Sequence, residues 1–286
     1  MRMPQFLALR LLGRGLQYVI THPRLCLYPI VNTILILSLG ILCILPLHHQ
    51  EAALLRLTNP SDTAYHTLWI LLGLLTGLGL LAHSLHLWTQ LALTIAINQQ
   101  FQHKPIGFIR SAMRAVPYLP ALWLAKLYHI GLYMRRAWVD DDSPLALACG
   151  TQPTFLLTHF TYSAVLTGII HPRQQLNMIR EYLDRTWGTH LLLSGGNAWL
   201  IACIEIAIIY IVAIHMDFQQ IASQQNIYSI SIGAALIWFV RNAVGLHIRL
   251  LRTALFYFAE QHIAPSPFTA DELQRTLKPH PFQRNR

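Results

Sequence analysis

The sequence predicts an all-α fold, a polytopic transmembrane helical bundle of about six spans with additional amphipathic helices at the membrane interface. Three observations predict it. The 286-residue chain contains several runs of roughly 18 or more mostly apolar residues, long enough to cross the core of a bilayer. Only 12 % of its residues are charged, about half the share found in soluble domains. Its lysines and arginines are concentrated in alternate connecting segments, as in multi-pass membrane proteins.

The chain begins with a segment that we expect to lie in the interface rather than to cross the membrane. Arg10 and Arg14 are interleaved with leucines, a pattern typical of an amphipathic interfacial helix. We therefore divide the chain into an interfacial segment (residues 1–24), a six-span membrane domain (25–259) and a cytoplasmic tail (260–286).

The first two spans follow this segment. The first is predicted from Leu25 to Leu47, and the second helix from Ala64 to Gln99, longer than a bilayer requires, so that it should tilt or project. A polar stripe on an apolar helix is expected to face the protein interior. The second helix carries such a stripe at alternating intervals of 3 and 4 residues, made of Thr76, Gly79, His83, His86 and Gln90.

A basic interfacial helix is predicted next, around Ile106 to Val116, followed by the third span from about Tyr118 to Trp138. This span is the weakest by hydropathy, and whether it crosses the membrane completely stays open. Lys126 and His129 share one of its faces, and inward-facing charges within a span are candidates for function.

The fourth span is predicted from Thr154 to Ile170 and contains His159. A basic amphipathic connector, residues 172–186, then leads to the last two spans. In the tail, the TADE sequence from Thr269 to Glu272 has the spacing of a helix capping box, with a threonine at the cap and a glutamate three residues later.

The last two spans form a hydrophobic hairpin with one charge in each. They run from about Leu191 to Ile214 and from Ile227 past Gly245, and they contain Glu205 and Arg241. A charge at that depth costs about 2.5 kcal/mol or more and therefore faces protein, a partner or water. We expect a Glu205–Arg241 ion pair, which either fixes the helix register or takes part in a relay.

The distribution of basic residues sets the orientation. Sixteen of the 21 lysines and arginines fall in segments that six spans would place on one side, and three fall on the other. The positive-inside rule therefore predicts that both termini are cytoplasmic. The net charge of +9 is accounted for by anionic lipid head groups at that face, and no nucleic-acid-binding motif is present.

The residue patterns favour a non-enzymatic protein without a metal or another cofactor. No GxSxG, HExxH or Walker sequence occurs, and the acidic run at residues 140–142 adjoins two arginines that balance it. The four cysteines form no CxxC pair and suggest packed free thiols. A haem or metal site would need histidines from several helices to converge, and with 15 histidines in the chain polar packing explains them better.

Three stretches resemble a known family. The opening GLQYVITHPRLCLYPIVNTI, the connector DRTWGTH and the terminal RTALFYFAEQHIAPSPFTADELQRTL follow one another as in a group of prokaryotic six-helix membrane proteins, classed only as a domain of unknown function. The resemblance covers nearly the whole chain and implies an all-helical membrane fold with cytoplasmic connectors. It implies no activity, cofactor or catalytic residue. The many histidines and glutamines in loops and spans depart from that group.

Two functions follow from these features. The first is a membrane scaffold, accessory or envelope-organising protein of the inner membrane, which contacts the bilayer and anionic head groups and has either a protein partner or a second copy of itself. The alternative is a transporter of a small solute, ion or lipid that uses Glu205, Arg241 and Lys126. The candidate intramembrane residues for either function are Glu205, Arg241, Lys126, His83, His86, Gln90, His129 and His159.

Overall fold

The computed structural model describes residues 4–49, 62–138, 160–187, 191–193, 206–207 and 224–279. Its longer helices are α1 (Pro4–Thr21), α2 (Leu27–His49), α3 (Asp62–Phe101), α4 (Phe108–Ala115), α5 (Leu119–Trp138), α6 (Pro172–Trp187), α7 (Gln224–Gln261) and α8 (Ala270–Thr276). Single 3-10 turns at Pro23–Cys26 and Val116–Tyr118 precede α2 and α5, and residues 160–165 are also helical. Two short strands, β1 (Leu191–Leu193) and β2 (Leu277–Pro279), pair antiparallel.

The helical architecture predicted from the sequence is confirmed in the described residues, but the six-span arrangement is not. Two stretches there are long and apolar enough to cross a membrane, Pro23–Gly40 and Leu72–Phe101. The remaining predicted spans stay predictions. The continuous second helix is confirmed as α3, Asp62–Phe101, close to the predicted Ala64 to Gln99.

The end of the predicted fourth span differs from the sequence-based expectation. The helix of residues 160–165 stops before Ile170, and Gly168 adopts a left-handed backbone with φ of 85°. A left-handed residue ends a helix, and Pro172 then starts α6 at a position where its missing N–H has no cost. The structure therefore replaces the last turn of the predicted span with a loop.

Most of the buried residues lie at one end of the molecule, which we call the packed head. It consists of residues 11–28, 87–101, 112–125, 160–183 and 246–273. Leu91, Ile97, Phe160, Leu250 and Leu255 are among its most deeply buried side chains. α3 and α7 run parallel through it, since His86 contacts Trp238 and, further along both helices, Phe101 contacts Tyr257.

Beyond the packed head, several helices continue as apolar segments with exposed side chains, which we call the apolar arms. They comprise residues 34–42 of α2, 69–81 of α3, 127–130 of α5 and 232–239 of α7. Trp69 on α3, for example, leaves 66 % of its surface exposed. The large exposed apolar residues of the α3 arm are Trp69, Ile70, Leu72, Leu74, Leu75, Leu80 and Leu81.

The N-terminal helix packs on α7 through a close contact that depends on glycine. A Cβ atom at Gly15 would overlap the imidazole ring of His247, whereas a Cβ atom at Gly13 would meet nothing within 4 Å. The ring of His247 is buried, and this burial lowers its pKa. Gly15 thus permits α1 to approach α7.

The C-terminal tail is folded back onto α1. Arg14 forms an ion pair with Glu272 at 2.8 Å and also donates a hydrogen bond to the Pro267 carbonyl. The predicted capping box is confirmed, because the Thr269 backbone N–H donates to Glu272 and the Glu272 N–H donates to the Thr269 hydroxyl. Phe268 and Leu273 are buried beside it, so this part of the tail belongs to the packed head.

Replacing Gly15 by alanine should separate α1 from α7. The new methyl group collides with the His247 ring, and overpacking of this kind costs about 1–3 kcal/mol. We expect Gly15→Ala to lower the melting temperature of the detergent-solubilised protein by several degrees. Gly13→Ala is the matched control and should leave it unchanged or slightly higher, because alanine favours the helix. Equal melting temperatures for the two variants would contradict the proposed contact.

Candidate functional site

Two clusters of polar side chains lie between helices in the described residues. The first, which we call the amide seam, joins α2, α3 and α7. The Asn32 side-chain amide donates to Asn242 Oδ1 at 2.7 Å and lies 3.2 Å from His86 Nδ1. Thr89 Oγ1 lies 2.9 Å from Asn32 Oδ1. Asn32 is fully buried, so its amide depends on these neighbours for its hydrogen bonds, whereas Thr89 can also donate to the His86 carbonyl at 2.9 Å.

The bonding pattern of the seam fixes the state of its histidine. Because the Asn32 amide nitrogen can only donate, His86 Nδ1 accepts and the ring proton of the neutral imidazole lies on Nε2. The Asn242 amide closes the pattern by donating to the Trp238 carbonyl at 2.9 Å. The side-chain amides of Asn32 and Asn242 therefore find hydrogen-bond partners within the seam, as expected of polar residues that hold apolar helices together.

The second cluster, which we call the cationic cluster, surrounds the ring of Tyr162. The guanidinium carbon of Arg249 lies 3.7 Å from the ring centroid, and Lys126 Nζ lies 5.1 Å from it. Both distances are within the range of cation–π attraction. Arg252, one turn beyond Arg249 on α7, is close enough for the two charges to interact. Tyr162 itself is buried, with 4 % of its surface exposed.

The charges of the cationic cluster are not balanced by acids in the part of the chain that the structure describes. There, no carboxylate forms an ion pair with Lys126, Arg249 or Arg252. The Nε atoms of both arginines are buried and have no hydrogen-bond partner among these residues. Burial lowers the pKa of both guanidinium groups, and the charge of Arg249 lowers that of Arg252 further, to about 9.

Residues predicted on the polar stripe of α3 fall into two groups. His86 joins the amide seam and Gln90 is buried, as the inward-facing stripe requires. Thr76 and His83 are exposed, although the His83 ring meets Trp123 at a centroid distance of 5.2 Å. The difference arises because α3 extends out of the packed head as an apolar arm, where it has few neighbours to face.

The predicted Glu205–Arg241 pair stays a prediction. Glu205 lies outside the described residues, as does His159. The Arg241 side chain is exposed on α7, next to the buried Asn242. His129 is partly buried on α5. Of the predicted candidates, His86 therefore enters the amide seam and Lys126 enters the cationic cluster.

Sequence reasoning missed Arg249, Arg252, Tyr162 and Asn32. Neither arginine was among the candidate residues. One signal was available, because Arg249 and Arg252 flank Leu250 and Leu251 in a largely apolar part of α7, and arginines there are seldom left without a polar partner. No pattern pointed to the tyrosine, since its ring reaches α7 from a separate segment.

The chemistry of the cationic cluster is that of anion recognition. Guanidinium and ammonium groups donate hydrogen bonds and accept none, so they match groups rich in acceptor oxygens. Among the described residues no three histidine, cysteine or acidic side chains come together to hold a metal ion. Comparisons with protein-family profiles, with curated proteins and with solved structures give no match to this chain.

Removing the central amide of the seam should destabilise the helix packing. Asn32→Leu leaves the Asn242 carbonyl buried without its donor, which costs about 1–3 kcal/mol, while Thr89 keeps its bond to the His86 carbonyl. Thr76→Val is the control, because Thr76 is exposed and bonds only to the backbone of its own helix. We expect thermal unfolding in detergent to show a clear loss for Asn32→Leu and little for Thr76→Val. A loss equal in both variants would argue against the seam.

Proposed function

We propose that the protein is a multi-pass integral membrane protein that acts without catalysis, as a scaffold or accessory protein organising the cytoplasmic face of a prokaryotic inner membrane. The observation that carries the proposal is the exposure of nearly every large apolar side chain between residues 69 and 81 of α3. In water this surface would be a strong aggregation site, whereas in a bilayer it is the expected covering of a spanning helix.

The other apolar arms support the same location. Ile34 on α2, Leu127 on α5 and Leu236 on α7 are exposed at 57 %, 56 % and 48 %. Soluble monomers seldom expose a contiguous apolar patch larger than about 300–600 Å². Four helices that leave the packed head with apolar exposed faces are better explained by lipid contact. Six spans and cytoplasmic termini are part of this proposal.

A basic collar supports attachment to the inner leaflet. The short helix α4 exposes Ile109 and Met113 beside the exposed Arg110 and Arg114. Apolar and basic residues exposed together are typical of helices that lie at an anionic membrane surface. Each arginine near such a surface contributes about 1 kcal/mol of attraction. We include α1 in the collar because Ile20 is also exposed there.

The amide seam favours a structural role over a catalytic one. Its donors and acceptors bond to one another, so that the groups most suited to chemistry already serve to join α2, α3 and α7. Transport is the second candidate, and one observation favours it. Lys126, a residue of the proposed third span, lies in the partly exposed cationic cluster, where a moving anion would be attracted.

The membrane location predicts the environment of Trp69. In vesicles made with lipids brominated along the acyl chain, the exposed Trp69 should be quenched strongly and should be protected from iodide in the buffer. Trp69→Phe should remove much of the acyl-chain quenching. Trp88→Phe is the control, because Trp88 is partly buried and its indole bonds to the Ala112 carbonyl. Iodide quenching of Trp69 without quenching by brominated lipid would contradict the membrane location.

A flux measurement separates a scaffold from a transporter. We expect proteoliposomes that carry a trapped pH- or ion-sensitive dye to show no flux above that of protein-free vesicles. Purification from gently solubilised membranes should instead yield one partner, or a second copy, in fixed stoichiometry. Flux that disappears in Glu205→Gln or Lys126→Gln, but not in Lys104→Gln, would contradict the scaffold function and support transport.

A further inference from the structure

The cationic cluster presents an electrostatic problem that the described residues do not solve. Lys126, Arg249 and Arg252 place three like charges around one buried aromatic ring. Like charges repel strongly where the dielectric constant is low, and buried polar atoms without partners are costly. Attraction to the Tyr162 ring offsets only part of this repulsion. An anion bound beside the three cations would relieve this repulsion.

The geometry of the donors indicates which anion would fit. The planar guanidinium group of Arg249 lies over the Tyr162 ring, which fixes the direction of its donors. Arginine forks bind the oxygens of phosphate in pairs, and a lysine ammonium adds a compact charge beside them. A phosphate offers several acceptor oxygens, enough for donors that approach from α5 and α7. Because all three side chains are partly exposed, the cluster is reachable from outside.

The cationic cluster lies at about the same level along α3 as the collar helix α4. Trp88 of α3 donates to Ala112 of α4, and His83 of α3 meets Trp123 of α5. The collar helix α4 and the first turns of α5 therefore lie beside the same part of α3. Lys126 follows Trp123 by less than one turn. With the protein in the membrane as proposed above, the cationic cluster lies near the depth of the lipid phosphates. Only this step depends on the membrane location.

We propose that Lys126, Arg249 and Arg252, arranged around Tyr162, form a binding site for a phosphate group. The group belongs either to an anionic lipid or to a soluble phosphate, and both are recognised by the same oxygens. This site is distinct from the collar, whose arginines are exposed and attract anionic lipid without a fixed geometry. The cluster instead binds one phosphate group between two helices.

The test uses the purified full-length protein in a neutral detergent. Its melting temperature is measured with added inorganic phosphate, with phosphatidylglycerol and with phosphatidylcholine, at constant ionic strength. Native mass spectrometry counts the lipids retained. We expect stabilisation by phosphatidylglycerol or phosphate and none by phosphatidylcholine. Stabilisation by phosphatidylglycerol alone identifies a lipid site, and stabilisation by inorganic phosphate as well identifies a site that also takes a soluble ligand.

Variants separate the cluster from general charge effects. Lys126→Gln and Arg249→Gln should each weaken anion binding about tenfold or more, since a charge-assisted hydrogen bond is lost. Lys104→Gln and Arg110→Gln, which remove exposed charges outside the cluster, should leave it unchanged. Without added anion the cluster variants should be as stable as the original chain or more stable, because repulsion is relieved. Arg249→Lys keeps the positive charge but lacks the planar pair of guanidinium donors, so this variant should bind the anion with intermediate affinity.

Two results would overturn the proposal. Equal anion binding by cluster and control variants would show that the collar accounts for it. A loss of stability in the cluster variants without any anion, together with no stabilisation by anions in the original chain, would show that the chain's own carboxylates neutralise the cluster. Neither result depends on the bilayer, so failure here is distinguishable from failure of the membrane location, which the Trp69 measurement tests.

Discussion

The requirement that buried polar groups find partners governs how the helices of this protein are joined. Apolar arms can pack against lipid as well as against one another, so apolar area alone does not choose their neighbours. The choice is made by Asn32, which bonds to Asn242 of α7 and lies within hydrogen-bond distance of Thr89 of α3. A shift of α2 by one residue would rotate this amide away from both and leave the buried Asn32 amide and the Asn242 carbonyl without these partners. The amide seam thus fixes the relative register of α2, α3 and α7, the helices that lead into the packed head.

Two further contacts in the packed head depend on the small size of a glycine and on an ion pair rather than on apolar packing. Gly15 brings α1 against His247, and Arg14 on the same helix binds Glu272 of the folded-back tail. Glu272 also completes the capping box of α8, so one carboxylate both caps the first turn of this helix and attaches the helix to Arg14 of α1. The two ends of the chain are therefore held together on α7.

The sequence predicted those features that depend on local pattern. α3 was predicted to within a few residues because its apolar run contains no proline, and the tail helix was predicted from its capping box. Residues 69–81 and 87–97 of α3 are similarly apolar, yet the first are exposed and the second buried. The second stretch carries Thr89, Gln90 and Thr94, but apolar content does not distinguish the two, since burial is decided by segments distant in the chain. The cationic cluster was missed for the same reason, because Tyr162 comes from one such segment.

The structure uses its charges in two physically different ways. Arg110 and Arg114 of the collar are exposed, and salt screens such charges within about 8 Å under physiological conditions. They can hold the protein at an anionic surface but cannot distinguish one head group from another. In the cationic cluster the Nε atoms of Arg249 and Arg252 are buried, so screening there is weaker and the direction of each donor matters. A protein that both collects anionic lipid and fixes one phosphate between α5 and α7 would couple lipid composition to the packing of those two helices, which is the property a membrane-organising protein needs.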